Sequence, residues 1–167
     1  MSSRAVIIET CSPEETEALG RVLASLLPRG AVVALRGELS TGKTCLVRGM
    51  ASSFAKGEAI HSPTFTLVNE YGDDPRLYHV DLYRLSSPAE VADLGCEELF
   101  DSEGVCVVEW AERAEPFLPA TRLDVYLEHL GGDRRRITLV DRGGDSRDGV
   151  MPPGWIDAVN AGPKRVT

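Results

Sequence analysis

The sequence predicts an α/β fold, a three-layer domain with helices on both faces of a mixed central β-sheet. Three observations lead to this prediction. An apolar run at 31–35 and a helical pattern at 43–55 flank a glycine loop, which makes a strand–loop–helix unit. The run 105–108 is strongly apolar and indicates a second buried strand. Further strands are separated by short turns, where a purely parallel sheet would need helical crossovers.

The elements before the glycine loop are a short strand and an amphipathic helix. Residues 6–8 are predicted to form the strand. Ser12 is followed by Pro13 and, three residues after the serine, by Glu15, which is the pattern of a capped helix start. The segment 28–30, Pro-Arg-Gly, is predicted to end this helix.

Several strands and one short helix are predicted beyond the loop helix. The predicted strands are 64–71, 76–83, 105–108, 123–130 and 136–141, and the helix runs from Ser87 towards Phe100. The first two strands are separated by a Gly-Asp-Asp-Pro turn, which favours a hairpin.

Two regions are expected along the chain. Residues 1–142 are predicted to form one domain, because 167 residues can bury about two-thirds of their unfolded surface. Residues 143–167 are rich in Gly, Pro, Asp and Arg and are expected to be a mostly disordered tail, within which Trp155 and Ile156 could dock locally.

Composition and charge restrict the class of protein. The net charge of −8 argues against direct gripping of nucleic acid, whose binding is dominated by phosphate contacts. No run reaches the roughly 18 apolar residues of a membrane span, and residues 1–4 lack the apolar core of a secretion signal. Residence in the cytoplasm is therefore expected. The four cysteines form no C-x-x-C pair, so metal-ligand spacing is absent from them.

The octapeptide 37–44, Gly-Glu-Leu-Ser-Thr-Gly-Lys-Thr, fits the nucleotide-binding loop pattern G-x-x-x-x-G-K-[ST]. Backbone N–H groups of such a loop surround phosphate oxygens, and the helix N-terminus adds positive charge. Gly37 and Gly42 permit backbone angles that side chains disfavour. Lys43 can reach the β- and γ-phosphates, and the Thr44 hydroxyl can ligate Mg²⁺. A P-loop domain that binds a nucleotide with Mg²⁺ is predicted.

Hydrolysis would need a carboxylate near Mg²⁺ or the attacking water, at the end of a strand beside the loop. Three carboxylates follow apolar strands: Asp81, Glu109 and Asp141. Glu109 follows the most apolar run and so the most central strand. Asp81 precedes the polar and aromatic residues 82–84. Asp141 is interpreted as a strand-end residue outside the site.

Four other positions have two possible roles. Thr64, in the segment after the loop helix, is at the place where nucleotide switches sense the γ-phosphate, although a turn into a strand is an alternative. His79 shares a strand face with Asp81 and is interpreted as a core histidine rather than a site residue. The basic run 134–136 is either a solvated hairpin or a phosphate contact, and Arg134 is included among the candidate nucleotide-binding residues. Cys45 is at a helix N-terminus, where a reactive thiolate is favoured, but it is interpreted as a small helix residue beside the phosphates.

These segments resemble the TsaE (YjeE) family, small bacterial ATPases needed to make threonylcarbamoyladenosine in tRNA. The resemblance covers roughly residues 5 to 141 and is carried by four motifs. They are 37–44, 62–71 (Ser-Pro-Thr-Phe-Thr-Leu-Val-Asn-Glu-Tyr), 79–85 (His-Val-Asp-Leu-Tyr-Arg-Leu) and 108–110 (Val-Glu-Trp). The family loop is usually of the kind G-D-L-G-A-G-K-T-T, so Ser40 stands here in place of a glycine.

The resemblance implies roles for individual residues. The phosphates would be held by Lys43 and by the backbone of Glu38, Leu39, Ser40, Thr41, Gly42, Thr44 and Cys45. Thr44 and Glu109 would hold Mg²⁺, and Asp81 would be a catalytic or γ-phosphate-sensing carboxylate. Thr64 would be a switch residue, with Trp110 near the nucleotide and Ser12 beside the base. The implied partners are the TsaB–TsaD pair, with tRNA reached only indirectly and no membrane involved.

Two other functions are alternatives to this one. A small-molecule kinase with a P-loop would need an acceptor pocket and an arginine-rich lid, for which 134–136 is the one short candidate. A GTP-binding switch would carry an N-K-x-D-type motif, and the sequence has none.

Overall fold

Within the residues that the structure describes, seven strands form one mixed β-sheet with helices on both faces. The computed structural model describes residues 4–38, 41–55, 57, 67–100, 102–143 and 149–162. The strands are β1 Arg4–Thr10, β2 Val32–Arg36, β3 Val68–Tyr71, β4 Leu77–Asp81, β5 Val105–Glu109, β6 Thr121–Gly131 and β7 Arg134–Gly143. The α-helices are α1 Pro13–Leu26, α2 Lys43–Ala55, α3 Pro88–Asp93, α4 Cys96–Phe100 and α5 Trp155–Ala161, and a 3₁₀ helix covers Ala111–Phe117.

Parallel pairing is confined to the centre of the sheet. The strand order is β1-β7-β6-β2-β5-β4-β3, and β6, β2, β5 and β4 run parallel. Antiparallel strand pairs lie on both sides of this parallel centre. On one side β6 pairs with β7 and β7 pairs with β1, and on the other side β4 pairs with β3. Strand β5 is buried along its whole length, because helices cover both faces of the parallel centre. The predicted three-layer α/β fold with a mixed sheet is confirmed.

Alternate residues of β2 point into two separate hydrophobic clusters. Val33 and Leu35 pack in the cluster that contains side chains of α1, α2 and α5. Val32 and Ala34 pack in the other cluster, with residues of α3, α4 and the 3₁₀ helix. This alternation is the period of a strand and defines the three layers. Of the helices in the described part of the chain, none is long and apolar enough to cross a membrane.

Helices α1 and α2 pack with their backbones in contact. A Cβ on Gly49 would lie 2.0 Å from the carbonyl oxygen of Glu17, and one on Gly20 would lie 2.2 Å from that of Leu46. Side chains at these two positions would therefore force the helices apart. Since α2 begins at the glycine loop, this close contact fixes the loop relative to α1.

The helix predicted from Ser87 towards Phe100 is two helices. Helix α3 ends at Asp93, and α4 begins at Cys96. Gly95 between them has φ of 77°, a left-handed conformation that ends a helix. The predicted hairpin is confirmed as β3 and β4, while residues 64–66 of its first strand lie outside the described residues.

The chain after β7 differs from the expected disordered tail. Residues 149–162 are described and include α5, whose Trp155 and Val159 are buried in the cluster with α1. Asp141 secures this segment: its carboxylate accepts a hydrogen bond from the Val150 N–H at 2.7 Å and forms an ion pair with Arg4 at 2.6 Å. The free energy gained by burying Trp155 stabilises this segment, although its composition is typical of disordered chains.

Trp155→Ala is expected to lower the free energy of unfolding by about 3 to 5 kcal/mol, since Trp155 is only 1% exposed and its loss leaves a large cavity. Asn160→Ala, on the exposed face of the same helix, is the control and should change stability by less than about 0.5 kcal/mol. Chemical denaturation measures both. Equal stability of the two variants would show that α5 does not contribute to the core.

Candidate functional site

The carboxyl ends of three parallel strands meet the N-terminus of α2 at one edge of the sheet. A cavity of about 360 Å³ opens there, which is within the usual range for small-ligand pockets. Its lining consists of Thr41, Gly42, Lys43, Thr44, Cys45, Asp81, Tyr83, Glu109, Trp110 and Arg135. In open α/β sheets this edge is the place where ligands bind.

The glycine loop joins β2 to α2 and presents the helix N-terminus to the cavity. Gly37 and Gly42 have φ of 152° and 97°. A Cβ at Gly37 would lie 2.7 Å from the carbonyl oxygen of Leu127, so the close approach of β6 also requires glycine there. The Thr41 hydroxyl donates to the Glu38 carbonyl oxygen at 2.8 Å, which tightens the turn. Leu39 and Ser40 lie outside the described residues.

Lys43 is buried at the floor of the cavity. Its Nζ donates to the Gly37 carbonyl oxygen and lies 3.6 Å from the centre of the Trp110 ring, a cation–π contact. Burial lowers the pKa of Lys43, although the nearby Glu109 opposes that effect. Thr44 is exposed beside it, with its side chain on the cavity lining.

Two carboxylates converge opposite the loop. Asp81 and Glu109 are partners in the parallel register of β4 and β5, so the strand pairing brings together residues 28 positions apart in sequence. Burial raises the pKa of Asp81 above its ordinary value, while the Tyr83 N–H, which donates to Oδ1 at 3.0 Å, opposes this rise. Both carboxylates line the cavity with Lys43, as their places after apolar strands predict.

Asp141, the third strand-end carboxylate, binds Arg4 and the chain after β7. It does not line this cavity. Its interpretation as a residue outside the site agrees with these contacts.

His79 lies directly behind Glu109. Its Nε2 is 2.5 Å from Glu109 Oε2, and both side chains are almost fully buried. The sequence favours a satisfied core histidine, and His79 is indeed in the core. Its partner, however, is a carboxylate of the cavity.

Trp110 closes one side of the cavity with a strained backbone. It has φ of 58° and ψ of 43° and is the one non-glycine residue with positive φ in the described part of the chain. For a non-glycine residue such strain costs on the order of 1–3 kcal/mol and is typical of functional sites. Its ring packs 5.2 Å from that of Tyr83, and the Arg113 guanidinium lies over both rings. The sequence gives no signal for this role of Arg113.

The basic run at the start of β7 contributes Arg135 to the cavity, not Arg134. Arg134, the residue predicted from the sequence, is exposed and forms an ion pair with Glu9 at 3.7 Å, so the structure places the neighbouring Arg135 at the cavity instead. Successive residues of a strand face opposite sides of the sheet. Arg135 therefore faces the glycine loop, and its Nε is 3.7 Å from where a Cβ of Gly42 would stand.

The remaining predicted residues are placed as follows. Ser12 is the N-cap of α1: its hydroxyl accepts a hydrogen bond from the Glu15 N–H at 3.1 Å, and it is not in the cavity lining. Cys45 lines the cavity in the first turn of α2, half-buried. Thr64 lies outside the described residues, so its switch role stays a prediction.

The donor atoms at the site suit a magnesium–nucleotide complex. The Thr44 hydroxyl and the carboxylates of Asp81 and Glu109 are oxygen ligands of the kind that Mg²⁺ prefers. Among the described residues, no three His, Cys, Asp or Glu side chains form a metal-binding group. A Mg²⁺ ion here would therefore complete its shell with water and phosphate oxygens, as it usually does in nucleotide sites.

A glycine loop between a central parallel strand and a helix, with carboxylates on the neighbouring strand ends, defines the P-loop NTPase-like class of proteins. The sequence profile described as "Threonylcarbamoyl adenosine biosynthesis protein TsaE" matches residues 10–137. The chain belongs to the TsaE family.

Individual relatives agree with this assignment. The chain is 41% identical over 131 residues to the tRNA threonylcarbamoyladenosine biosynthesis protein TsaE of Bacillus subtilis, covering 78% of this chain and 82% of that protein. It is 42% identical over 128 residues to the protein of the same name from Treponema pallidum, covering 77% and 95%. The crystal structure of Bacillus subtilis YdiB superimposes with a TM-score of 0.69 at 31% identity, covering 96% of this chain and 95% of that one.

Proposed function

We propose that this chain is a Mg²⁺-dependent ATP-binding and ATP-hydrolysing subunit that supports the threonylcarbamoyladenosine modification of tRNA together with TsaB and TsaD. The observation that supports it most is the convergence of Lys43, Thr44, Asp81 and Glu109 on one cavity at the N-terminus of α2. Membership of the TsaE family supports the assignment to the tRNA modification pathway.

The phosphates of ATP bind the backbone N–H groups of the glycine loop and the ammonium group of Lys43 in this proposal. In the structure that ammonium group is held by the Gly37 carbonyl oxygen and the Trp110 ring. It is therefore already at the cavity floor and needs only a local side-chain movement to meet a phosphate. Thr44 and Glu109 hold Mg²⁺, which supplies charge neutralisation at the phosphates.

Asp81 is proposed to orient the attacking water or sense the γ-phosphate. The Tyr83 N–H holds one of its oxygens at 3.0 Å, which fixes the direction of the carboxylate. Because burial raises its pKa, Asp81 is more basic than an exposed aspartate. It is thus better suited to accept a proton from water than a carboxylate in bulk solvent would be.

Arg135→Ala is expected to weaken ATP binding about five- to tenfold, roughly 1 to 1.4 kcal/mol, because a partly exposed cation beside the glycine loop attracts phosphate. The matched control is Arg134→Ala, one residue earlier on the strand, where the side chain faces Glu9. Calorimetric titration at low and moderate salt measures both variants. A larger loss of ATP affinity in the Arg134 variant would show that Arg134, and not Arg135, contacts the phosphates.

Partner proteins are proposed to contact tRNA in place of this chain. The net charge of −8 disfavours direct binding of tRNA phosphates. ATP bound at the cavity would contact the segment that contains Thr64 through the γ-phosphate and Mg²⁺, and this would change the surface offered to TsaB–TsaD. The cytoplasm is the proposed compartment, since tRNA modification occurs where tRNA is made.

Reconstitution with TsaB–TsaD from the same organism tests the proposal. ATP hydrolysis is expected to rise when the pair is added, and Thr64→Ala should reduce that rise more than it reduces ATP binding. Absence of any complex in every nucleotide state, together with ATP consumption that depends on a small-molecule acceptor, would replace this proposal by the kinase function.

A further inference from the structure

A buried histidine on β4 and a buried glutamate on β5 are in contact. His79 Nε2 lies 2.5 Å from Glu109 Oε2, and the two side chains are 3% and 5% exposed. Glu109 also lines the cavity, whereas His79 is not among the lining residues. The histidine thus contacts the carboxylate from the side of the core and has no direct access to a bound ligand.

The strand register explains this direction of approach. Asp81 is the register partner of Glu109, and His79 is paired with Val107, one pleat further into the sheet. His79 and Asp81 are two residues apart on β4, so their side chains lie on the same face. The imidazole therefore contacts Glu109 from a position two residues before the end of β4, whereas Asp81 and Glu109 line the cavity at the strand ends.

The direction of the hydrogen bond follows from the chemistry of the two groups. A carboxylate that holds Mg²⁺, as Glu109 does in the proposed function, is ionised and only accepts hydrogen bonds, so in that state Nε2 carries the hydrogen and donates it to Oε2. Hydrogen bonds to ionised groups are strong, and exclusion of water strengthens them further. The terminal torsion of a glutamate is otherwise broad. The hydrogen bond from His79 to one carboxylate oxygen restricts rotation about the terminal torsion of Glu109.

We propose that His79 is a positioning residue for Glu109: it fixes Oε2 so that the other carboxylate oxygen is presented to the cavity. The inference rests on the proposed function, in which Glu109 helps to hold Mg²⁺. Groups that hydrogen-bond a metal-binding carboxylate typically change metal affinity or activity by about 10- to 100-fold when they are removed.

The test measures the Mg²⁺ concentration needed for half-maximal binding of a non-hydrolysable ATP analogue, by calorimetry. His79→Phe keeps a ring but loses the donor, and is expected to raise that concentration on the order of tenfold. Binding of ADP without Mg²⁺ should stay within about twofold, since the phosphate contacts of Lys43 and the loop are untouched. In steady-state hydrolysis kcat should fall while KM for ATP changes little.

Three further variants separate positioning from a general loss of structure. His79→Gln retains an amide donor close to the place of Nε2 and is expected to restore most of the Mg²⁺ affinity. His79→Asn ends one bond short and should not. His129→Gln, at an exposed histidine, is the control. If His79→Phe fails to fold, the comparison of the Gln and Asn variants decides the question in its place.

Two results would overturn the inference, and they are distinguishable. Glu109→Gln is measured in the same assay as the reference variant. If Glu109→Gln raises the Mg²⁺ requirement while folded His79→Phe, or His79→Asn, matches the parent, positioning by His79 is wrong and the metal site stands. If Glu109→Gln also matches the parent, the magnesium site of the proposed function fails, and the inference fails with it.

Discussion

Replacing Lys43 by alanine is expected to weaken ATP binding by about 3 kcal/mol, on the order of 100-fold in Kd, because a charge-assisted phosphate contact is lost from a buried site. Lys43 is 5% exposed, so a contact between its ammonium group and a phosphate would be less screened by solvent than one at the surface. Calorimetric titration with ATP and Mg²⁺ measures the change.

Arg48→Ala is the matched control for the lysine variant. Arg48 is a cation on the same helix, but it is exposed and pairs with Glu17 at 3.3 Å. Its loss should change the ATP affinity by less than about twofold, since exposed ion pairs contribute little. ATP affinity that is unchanged in the Lys43 variant would show that the glycine loop does not bind phosphate in this protein.

Asp81→Asn and Glu109→Gln are each expected to lower ATP hydrolysis by a factor on the order of 10² or more, while ADP binding stays within about threefold. Both substitutions preserve side-chain size and remove the negative charge at the cavity. In the proposed function this charge is needed by Mg²⁺ and by the attacking water, whereas ADP would be held mainly by the loop. Single-turnover hydrolysis and ADP titration separate the two effects.

Asp141→Asn serves as the contrasting variant. Asp141 also ends an apolar strand, but its carboxylate binds Arg4 and the Val150 N–H. Its replacement should lower the thermal unfolding temperature without changing hydrolysis at a temperature where the protein is folded. Parental hydrolysis by both the Asp81 and the Glu109 variants would mean that those carboxylates are structural.

Much of the site could be predicted because its signals are local in sequence. The glycine loop is contiguous, and the apolar runs on either side fix it between a strand and a helix. Asp81 and Glu109 could be found because each follows an apolar strand, and parallel strands end at one edge of the sheet. The structure places residues 41–44 of the loop, Asp81 and Glu109 around one cavity.

The basic run at the start of β7 could not be assigned from local sequence signals. Arg134, Arg135 and Arg136 are three identical residues in a row, so the sequence carries no alternation that could assign a face to each. Only the pairing of β7 with β6 and β1 sets the register. That register turns Arg135 towards the glycine loop and Arg134 towards Glu9.

The sequence by itself determined the strand–loop–helix unit, the mixed sheet and the two carboxylates, because apolar period and turn residues act over a few neighbouring positions. The tertiary structure decided the rest. Pairing of His79 with Glu109 joins residues 30 positions apart, and α5 is stabilised by burying Trp155 against elements from the other end of the chain. Such contacts depend on register and packing between distant segments, and no local pattern encodes them.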